Sequence, residues 1–205
     1  MFQTVATVLD WLGVLVFAVT GALVASRKQM DIVGFVVLGT VTGIGGGTLR
    51  DVLLGALPVF WVKDPAYLLT CVAVSCLVFF TAHIPESRHK YLLWLDAVGL
   101  ALFAVIGAEK AGEAGAGPVV AVVLGVVTAT FGGIIRDILG GEAPVILSRE
   151  IYVLAALAGA VVFSVCITTG VSREMALAAG FVVGFGVRSA ALYGNWSLPR
   201  YKPRG

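Results

Sequence analysis

Hydrophobic and polar positions in this chain do not alternate; they are sorted into long blocks. Residues 11–26, 32–49, 65–85, 114–135 and 151–172 hold no Asp, Glu, Lys or Arg, and two shorter charge-free runs, 97–108 and 175–187, continue into apolar flanks. A helix needs ~20 mostly apolar residues to cross ~30 Å of hydrocarbon. The blocks therefore predict seven transmembrane helices, near 6–26, 32–55, 65–83, 92–109, 117–140, 151–170 and 174–193. A strand barrel is excluded, because the runs lack a two-residue rhythm and a barrel would need many more of them. The loops are short and leave no soluble domain, so residues 1–205 are expected to form one all-α, polytopic membrane domain.

The blocks also repeat. Asp10, Gly13, Phe17 and Gly21 return as Asp96, Gly99, Phe103 and Gly107; Gly39, Thr42, Gly46, Gly47, Arg50 and Asp51 return as Gly125, Thr128, Gly132, Gly133, Arg136 and Asp137. Aligned without a gap, 10–60 and 96–146 share 23 identical residues in 51 positions. Chance matching of apolar segments does not keep Gly-Gly, Arg-Asp and a later proline (Pro58, Pro144) in step. Repeat 1 occupies about 6–83, repeat 2 about 92–170, and a seventh helix at 174–193 precedes the tail at 194–205. Three spans per copy force the second copy to enter the bilayer upside down. That predicts an inverted repeat, an arrangement whose working site lies where the halves meet.

Composition agrees with this reading. Mean hydropathy is +1.00, with 59% hydrophobic and 13% charged residues, outside the soluble globular class. A cleavable leader fits the N-terminus badly, because residues 1–9 lack a basic residue and the first span belongs to the repeat. Net charge is +2 and no basic stripe exists, so no nucleic-acid partner is expected. With the N-terminus outside, the inner side receives nine basic residues (Arg27, Lys28, Arg88, Lys90, Arg149, Arg188, Arg200, Lys202, Arg204) and the outer side three (Lys63, Lys110, Arg173). The positive-inside rule then predicts an N-out, C-in protein.

Candidate chemistry gathers in the second and fifth spans. Gly45, Gly46 and Gly47 sit at the middle of span two, and Gly132-Gly133 at the matching point of span five. Each glycine weakens a helix by roughly 1 kcal/mol relative to alanine, so both helices are expected to break there. Non-helical backbone at that depth survives only when buried in protein or lining a wet cavity. Thr40, Thr42 and Thr48 surround the first break, and Thr128 and Thr130 precede the second. Their hydroxyls, with freed carbonyls, are hard oxygen ligands able to replace part of a cation's water shell. Glycine-rich stretches also allow close helix packing; recurrence in both copies, each time followed by Arg-Asp, favours the pathway-lining break.

Buried charges are expensive in a span, at least ~2.5–3.5 kcal/mol each, and so are paired and often functional. Helix rise puts Arg50 toward the outer side, where Asp10 begins span one, and the repeat puts Arg136 with Asp96 on the inner side. Two symmetry-related pairs are expected, Asp10 with Arg50 and Asp96 with Arg136. Asp51 and Asp137 would then be the less compensated carboxylates, able to attract cations. The alternative, that these charges merely pin helices together, remains open and is compatible with gating. Glu109, Lys110 and Glu113 fall in a predicted outer loop, Gly180 and Gly184 on a helix-packing face, and Trp11, Trp61, Trp94 and Trp196 near span ends. Cys71, Cys76 and Cys166 match no metal or redox spacing, and nothing marks His83 or His89 as a ligand. No catalytic constellation, metal cluster or cofactor signature is present, so an enzyme is not expected.

Inverted three-span repeats, a lone seventh helix, and glycines centred in spans two and five resemble the prokaryotic TRIC family, the trimeric intracellular cation channels. The resemblance covers roughly 6–193; Gly45-Gly46-Gly47 matches the family's glycine triplet and Gly132-Gly133 its partner. It implies a homotrimer in the membrane lipid with one potassium-permeable pore per subunit, lined by the two glycine-bearing helices. Animal members carry Lys-Glu before the triplet and use it with an inositol lipid; here those positions are Gly43 and Ile44, so that role does not transfer. The bacterial branch also carries the label glycine transporter. Two functions are thus expected to compete: a passive cation channel, and a secondary transporter holding a small zwitterion at half-helix ends. Acidic residues toward the two mouths, rather than at the centre, favour the channel.

Overall fold

Blocks this apolar must satisfy their backbone internally, and the chain does so almost entirely with helix. The computed structural model describes residues 2–82, 88–147 and 150–199. His83, Arg149, Arg200, Lys202 and Arg204 lie outside the described residues, as do the side chains of Arg88 and His89. The helices are α1 (Phe2–Arg27), α2 (Ile32–Leu53), a single turn α3 (Phe60–Lys63), α4 (Ala66–Thr81), α5 (Arg88–Glu113), α6 (Pro118–Leu139), α7 (Val153–Thr168) and α8 (Arg173–Gly194). A lone bridge between Glu150 and Ser197 is the strand-like pairing among the described residues. Five helices (α1, α2, α5, α6, α8) are long and apolar enough to cross a membrane; α4 and α7 are apolar but only 16 residues each.

Local chemistry sets the ends. The Asp31 carboxylate accepts from the Gly34 amide at 2.8 Å and starts α2. Pro118 occupies the first turn of α6, where its missing N–H is no loss. Asn195 closes α8 in the left-handed conformation, φ 49°. One boundary differs from expectation with consequences below: α5 runs on to Glu113. Glu109 and Lys110 are therefore in a helical turn, not a solvated loop.

Small residues bring the helices together, and the contacts obey the 86-residue shift. A Cβ on Gly13 would lie 2.6 Å from the Phe103 ring, and one on Gly99 would strike Phe17; the two rings meet edge-on at 5.1 Å. Gly21 faces Thr42, and its counterpart Gly107 faces Thr128, with would-be Cβ distances of 2.6 and 2.7 Å to the hydroxyl oxygens. These pairings make α1 antiparallel to α5, and each of the two antiparallel to its own following helix. Helices α7 and α8 close on a third glycine contact, Gly159 against Gly180 and Gly184, within the one chain. Large apolar side chains such as Leu69, Leu77, Phe80 and Val119 remain exposed on the outer faces, as a lipid-facing surface requires.

Candidate functional site

The centre of the molecule is the crossing of α2 and α6. A Cβ on Gly46 would lie 3.0 Å from the Thr128 carbonyl carbon and nearer still to its oxygen; a Cβ on Gly132 would press on the Thr42 carbonyl in the same way. The contact is reciprocal, since Thr42 and Gly46 become Thr128 and Gly132 on adding 86. Gly45 faces Ile135 and the Gly132 Cα, while Gly47 and Gly133 turn outward to the Phe60 ring and the Tyr152 hydroxyl. Backbone meets backbone here, with no side chain between the two helices at Gly46 and Gly132.

The expected helix breaks are absent. Helix α2 is continuous through Gly43–Gly47 and α6 through Gly132–Gly133. The propensity penalty of glycine is a few kcal/mol at most, whereas opening backbone hydrogen bonds in hydrocarbon costs several kcal/mol for each group. Packing between the helices removes whatever incentive remained. The threonines follow suit. Thr42, Thr48, Thr128 and Thr130 each donate to the carbonyl four residues earlier, at 2.6–2.9 Å, leaving their oxygens as acceptors only. Thr48 Oγ1 accepts from Trp61 Nε1 at 2.9 Å. Thr40 Oγ1 is buried without a hydrogen-bond partner.

Charged clusters flank the crossing at both ends. At the end where α6 finishes, Arg136 is 1% exposed and takes Asp96 at 2.6 Å, Asp137 at 2.9 Å and the Thr20 hydroxyl at 3.2 Å. The Asp96–Arg136 pair is the expected one. At the opposite end the expected Asp10–Arg50 pair does not form. Asp10 is held instead by Lys110 at 2.7 Å and by the Tyr67 hydroxyl at 3.0 Å. Arg50, also 1% exposed, binds its neighbour Asp51 at 2.7 and 2.9 Å, leaving Nη1 without a partner. The reason is the length of α5: its last turns carry Lys110 level with Asp10, and Lys110 has no basic counterpart in the first copy, where Val24 stands.

Asp51 and Asp137 are not under-compensated either. Each grips its arginine with one oxygen and uses the other to accept a loop amide, Phe60 N at 2.8 Å and Val145 N at 3.0 Å. They are anchors that tie the chain after each helix back to that helix. Phe60 lies between two cations, with Arg50 Cζ 5.8 Å and Lys110 Nζ 5.7 Å from its ring centre. Pattern reading missed Tyr67, Phe60 and Lys110; the one visible signal was Lys110, a charge that breaks the repeat. It also missed Arg188, 1% exposed, which pairs with Glu150 at 2.6 Å and lies over the Tyr152 ring.

Known proteins share this architecture. Residues 7–83 and 93–168 both match the family described as Glycine transporter, and the two matches begin 86 residues apart (93 − 7), in step with the repeat. The chain is 45% identical over 195 residues, 94% of each protein, to the "UPF0126 inner membrane protein YadS" of Escherichia coli K12. It superposes with a TM-score of 0.92 and 62% identity on the TRIC trimeric intracellular cation channel orthologue from Rhodobacter sphaeroides, over 95% of this chain and 100% of that one. A second structure, described under "Structural basis for conductance through TRIC cation channels", matches at 35% identity and a TM-score of 0.86, over 97% of this chain and 98% of that one.

Proposed function

This chain belongs to the bacterial TRIC family of multi-pass membrane proteins, and from that premise we infer that it is a passive channel for monovalent cations, potassium above all, with one pathway per subunit between α2 and α6. The observation that carries the reading is the reciprocal Gly46–Thr128 and Gly132–Thr42 contact, flanked by a buried arginine on either side. Glycine leaves the Thr42 and Thr128 carbonyl oxygens uncovered by side chain. When α2 and α6 separate at this crossing, those two carbonyl oxygens face the gap as hard oxygen ligands without any break in the helices, while the Thr42 and Thr128 hydroxyls stay against Gly21 and Gly107. The conformation described is the shut one.

The wider assembly follows the same premise. Seven helices are read as spans, α4 and α7 included; at 16 residues each they reach about 24 Å, short of ~30 Å of hydrocarbon. Reciprocal antiparallel contacts support two inverted three-span repeats with α8 added. A homotrimer is supported by the Rhodobacter relative's description as trimeric. An N-out, C-in orientation rests on the nine-to-three basic asymmetry.

The family description favours a second reading, a glycine transporter. Purified protein in planar bilayers separates the two. Unitary potassium currents are the expected result; saturable uptake of labelled glycine without such currents would replace the channel by the transporter.

A further inference from the structure

The 86-residue shift makes each end of the bundle a natural variant of the other. Helices α2 and α6 finish in the same turn: Gly55 and Gly141 take φ 65° and 67°, and the amides of Ala56 and Glu142 donate to the Asp51 and Asp137 carbonyls, both at 2.8 Å. Helices α1 and α5 finish alike as well. Gln29 and Gly115 take φ 54° and 86°, and the amides of Met30 and Ala116 donate to the Ala25 and Ala111 carbonyls at 3.1 and 3.0 Å. The backbone frames therefore match at the two ends, and what differs is the side chains they present.

At the Arg136 end those side chains join the two repeats. Glu142, just past α6, accepts from Arg27 Nη2 at 3.1 Å and lies 3.4 Å from Lys28 Nζ, both at the close of α1. At the Arg50 end the same positions hold Ala56, Glu113 and Ala114. Ala56 has nothing to offer, and Glu113 turns to Arg173. A cavity of about 340 Å³ opens there, lined by Ala56, Glu113 and Ala114 together with Arg50 and Phe60. A second difference runs the same way: Arg136 reaches the Thr20 hydroxyl on α1 at 3.2 Å, whereas the counterpart of Thr20 is Ile106, which cannot bond Arg50. Lys110 does cross between repeats at the Arg50 end, but its carboxylate partner is Asp10 on α1. Among the described residues no ion pair there joins α2 to the second repeat.

We propose that Glu142, with Arg27 and Lys28, is a one-sided strap that holds the repeats together at the Arg136 end and must let go before α2 and α6 can part. Helix α1 is seated on α2 through Gly21 and Thr42, and α6 on α5 through Gly107 and Thr128. A tie from the close of α1 to the close of α6 therefore opposes separation of α2 from α6. The inference rests on the channel reading and adds to it a set of residues that governs how readily the crossing opens. The three side chains are 27–35% exposed, and pairs of that kind are weak and screened by salt. Such a contact can be broken and remade at each opening, and the salt whose cation is carried also loosens it.

The test uses the full chain in planar bilayers and, in parallel, in nanodiscs with spin labels at Gln29 and Ala143, exposed positions beside the strap. Glu142→Gln keeps the shape and removes the charge. It is expected to raise open probability about two- to tenfold with unitary conductance unchanged, and to enlarge the long-distance population between the labels. Exchanging the charges (Arg27→Glu and Lys28→Glu with Glu142→Lys) should restore both readings. Raising potassium chloride from about 0.1 M to about 1 M shortens the screening length from ~10 to ~3 Å, so wild type should move toward Glu142→Gln while the variant scarcely responds. Wild-type open probability in Glu142→Gln overturns the strap, and so does a variant that responds to salt as fully as wild type. Wild-type protein that carries no current removes the channel reading instead. The labels then decide alone: a distance indifferent to both Glu142→Gln and salt overturns the strap, and a widening under both upholds it as a tie between repeats.

Discussion

Replacing Gly46 with alanine tests the crossing most directly. The new Cβ would sit 3.0 Å from the Thr128 carbonyl carbon and closer to its oxygen, where ordinary contact begins at 3.4 Å. Both neighbours are backbone, so no side chain can swing away, and α2 must move from α6 by on the order of 1 Å. Alanine itself favours helix by about 1 kcal/mol over glycine, while forced overpacking costs about 1–3 kcal/mol. Gly186, in α8, has nothing within 4 Å of its would-be Cβ and isolates the propensity effect. Gly46→Ala should therefore unfold below Gly186→Ala, by about 2–4 °C for each kcal/mol in a chain of this size. In planar bilayers the wedge destabilises the shut crossing, so open probability should rise. Gly132→Ala should act alike, and the double variant should lose less stability than the two singles summed, because one separation accommodates both methyls. If Gly46→Ala matches Gly186→Ala in stability and wild type in current, this contact is not the barrier.

Three further outcomes are expected. Asp51→Asn should lower thermal stability through the lost Arg50 and Phe60 partners, yet leave the reversal potential in a potassium chloride gradient unchanged; a shift toward zero would restore Asp51 as a cation attractor. Asp96→Asn should destabilise more than Asp10→Asn in detergent unfolding, because Arg136 is 1% exposed whereas Lys110, 28% exposed, falls back on water; the reverse order would contradict the anchoring role. Thr42→Val with Thr128→Val keeps volume and removes only hydroxyls that lie against Gly21 and Gly107, so stability should stay within about 1 kcal/mol and unitary conductance should be unchanged. A fall in conductance would place those hydroxyls on the pathway.

Charge-free runs marked the helices to within a few residues, because the demand for an unbroken apolar length is local and strong. The Asp96–Arg136 pair was legible too, since the repeat and the helix rise fix which groups share a level. Two things were hidden. Glycine clusters look the same in sequence whether they break a helix or let another approach, and the outcome at Gly46 is decided by Thr128, 82 residues away. The partner of Asp10 was hidden by a boundary: α5 ends at Glu113 rather than near 109, and four more residues of helix put Lys110 and Glu109 inside the protein. Symmetry reasoning then misled at Arg50, because Lys110 and Ile106 stand where the other copy has Val24 and Thr20.

Helices α2 and α6 each supply one glycine and one carbonyl to the same meeting point, and neither can meet itself within its own copy. A chain ending after α4 would expose Gly13 and Gly46 as open sockets shaped for Phe103 and Thr128. Only a second molecule lying head to tail against the first could fill them, offering its own Phe17 and Thr42. The surface buried at the heart of the present subunit is thus a self-complementary one. Two half-length chains meeting through it would have to lie in opposite directions.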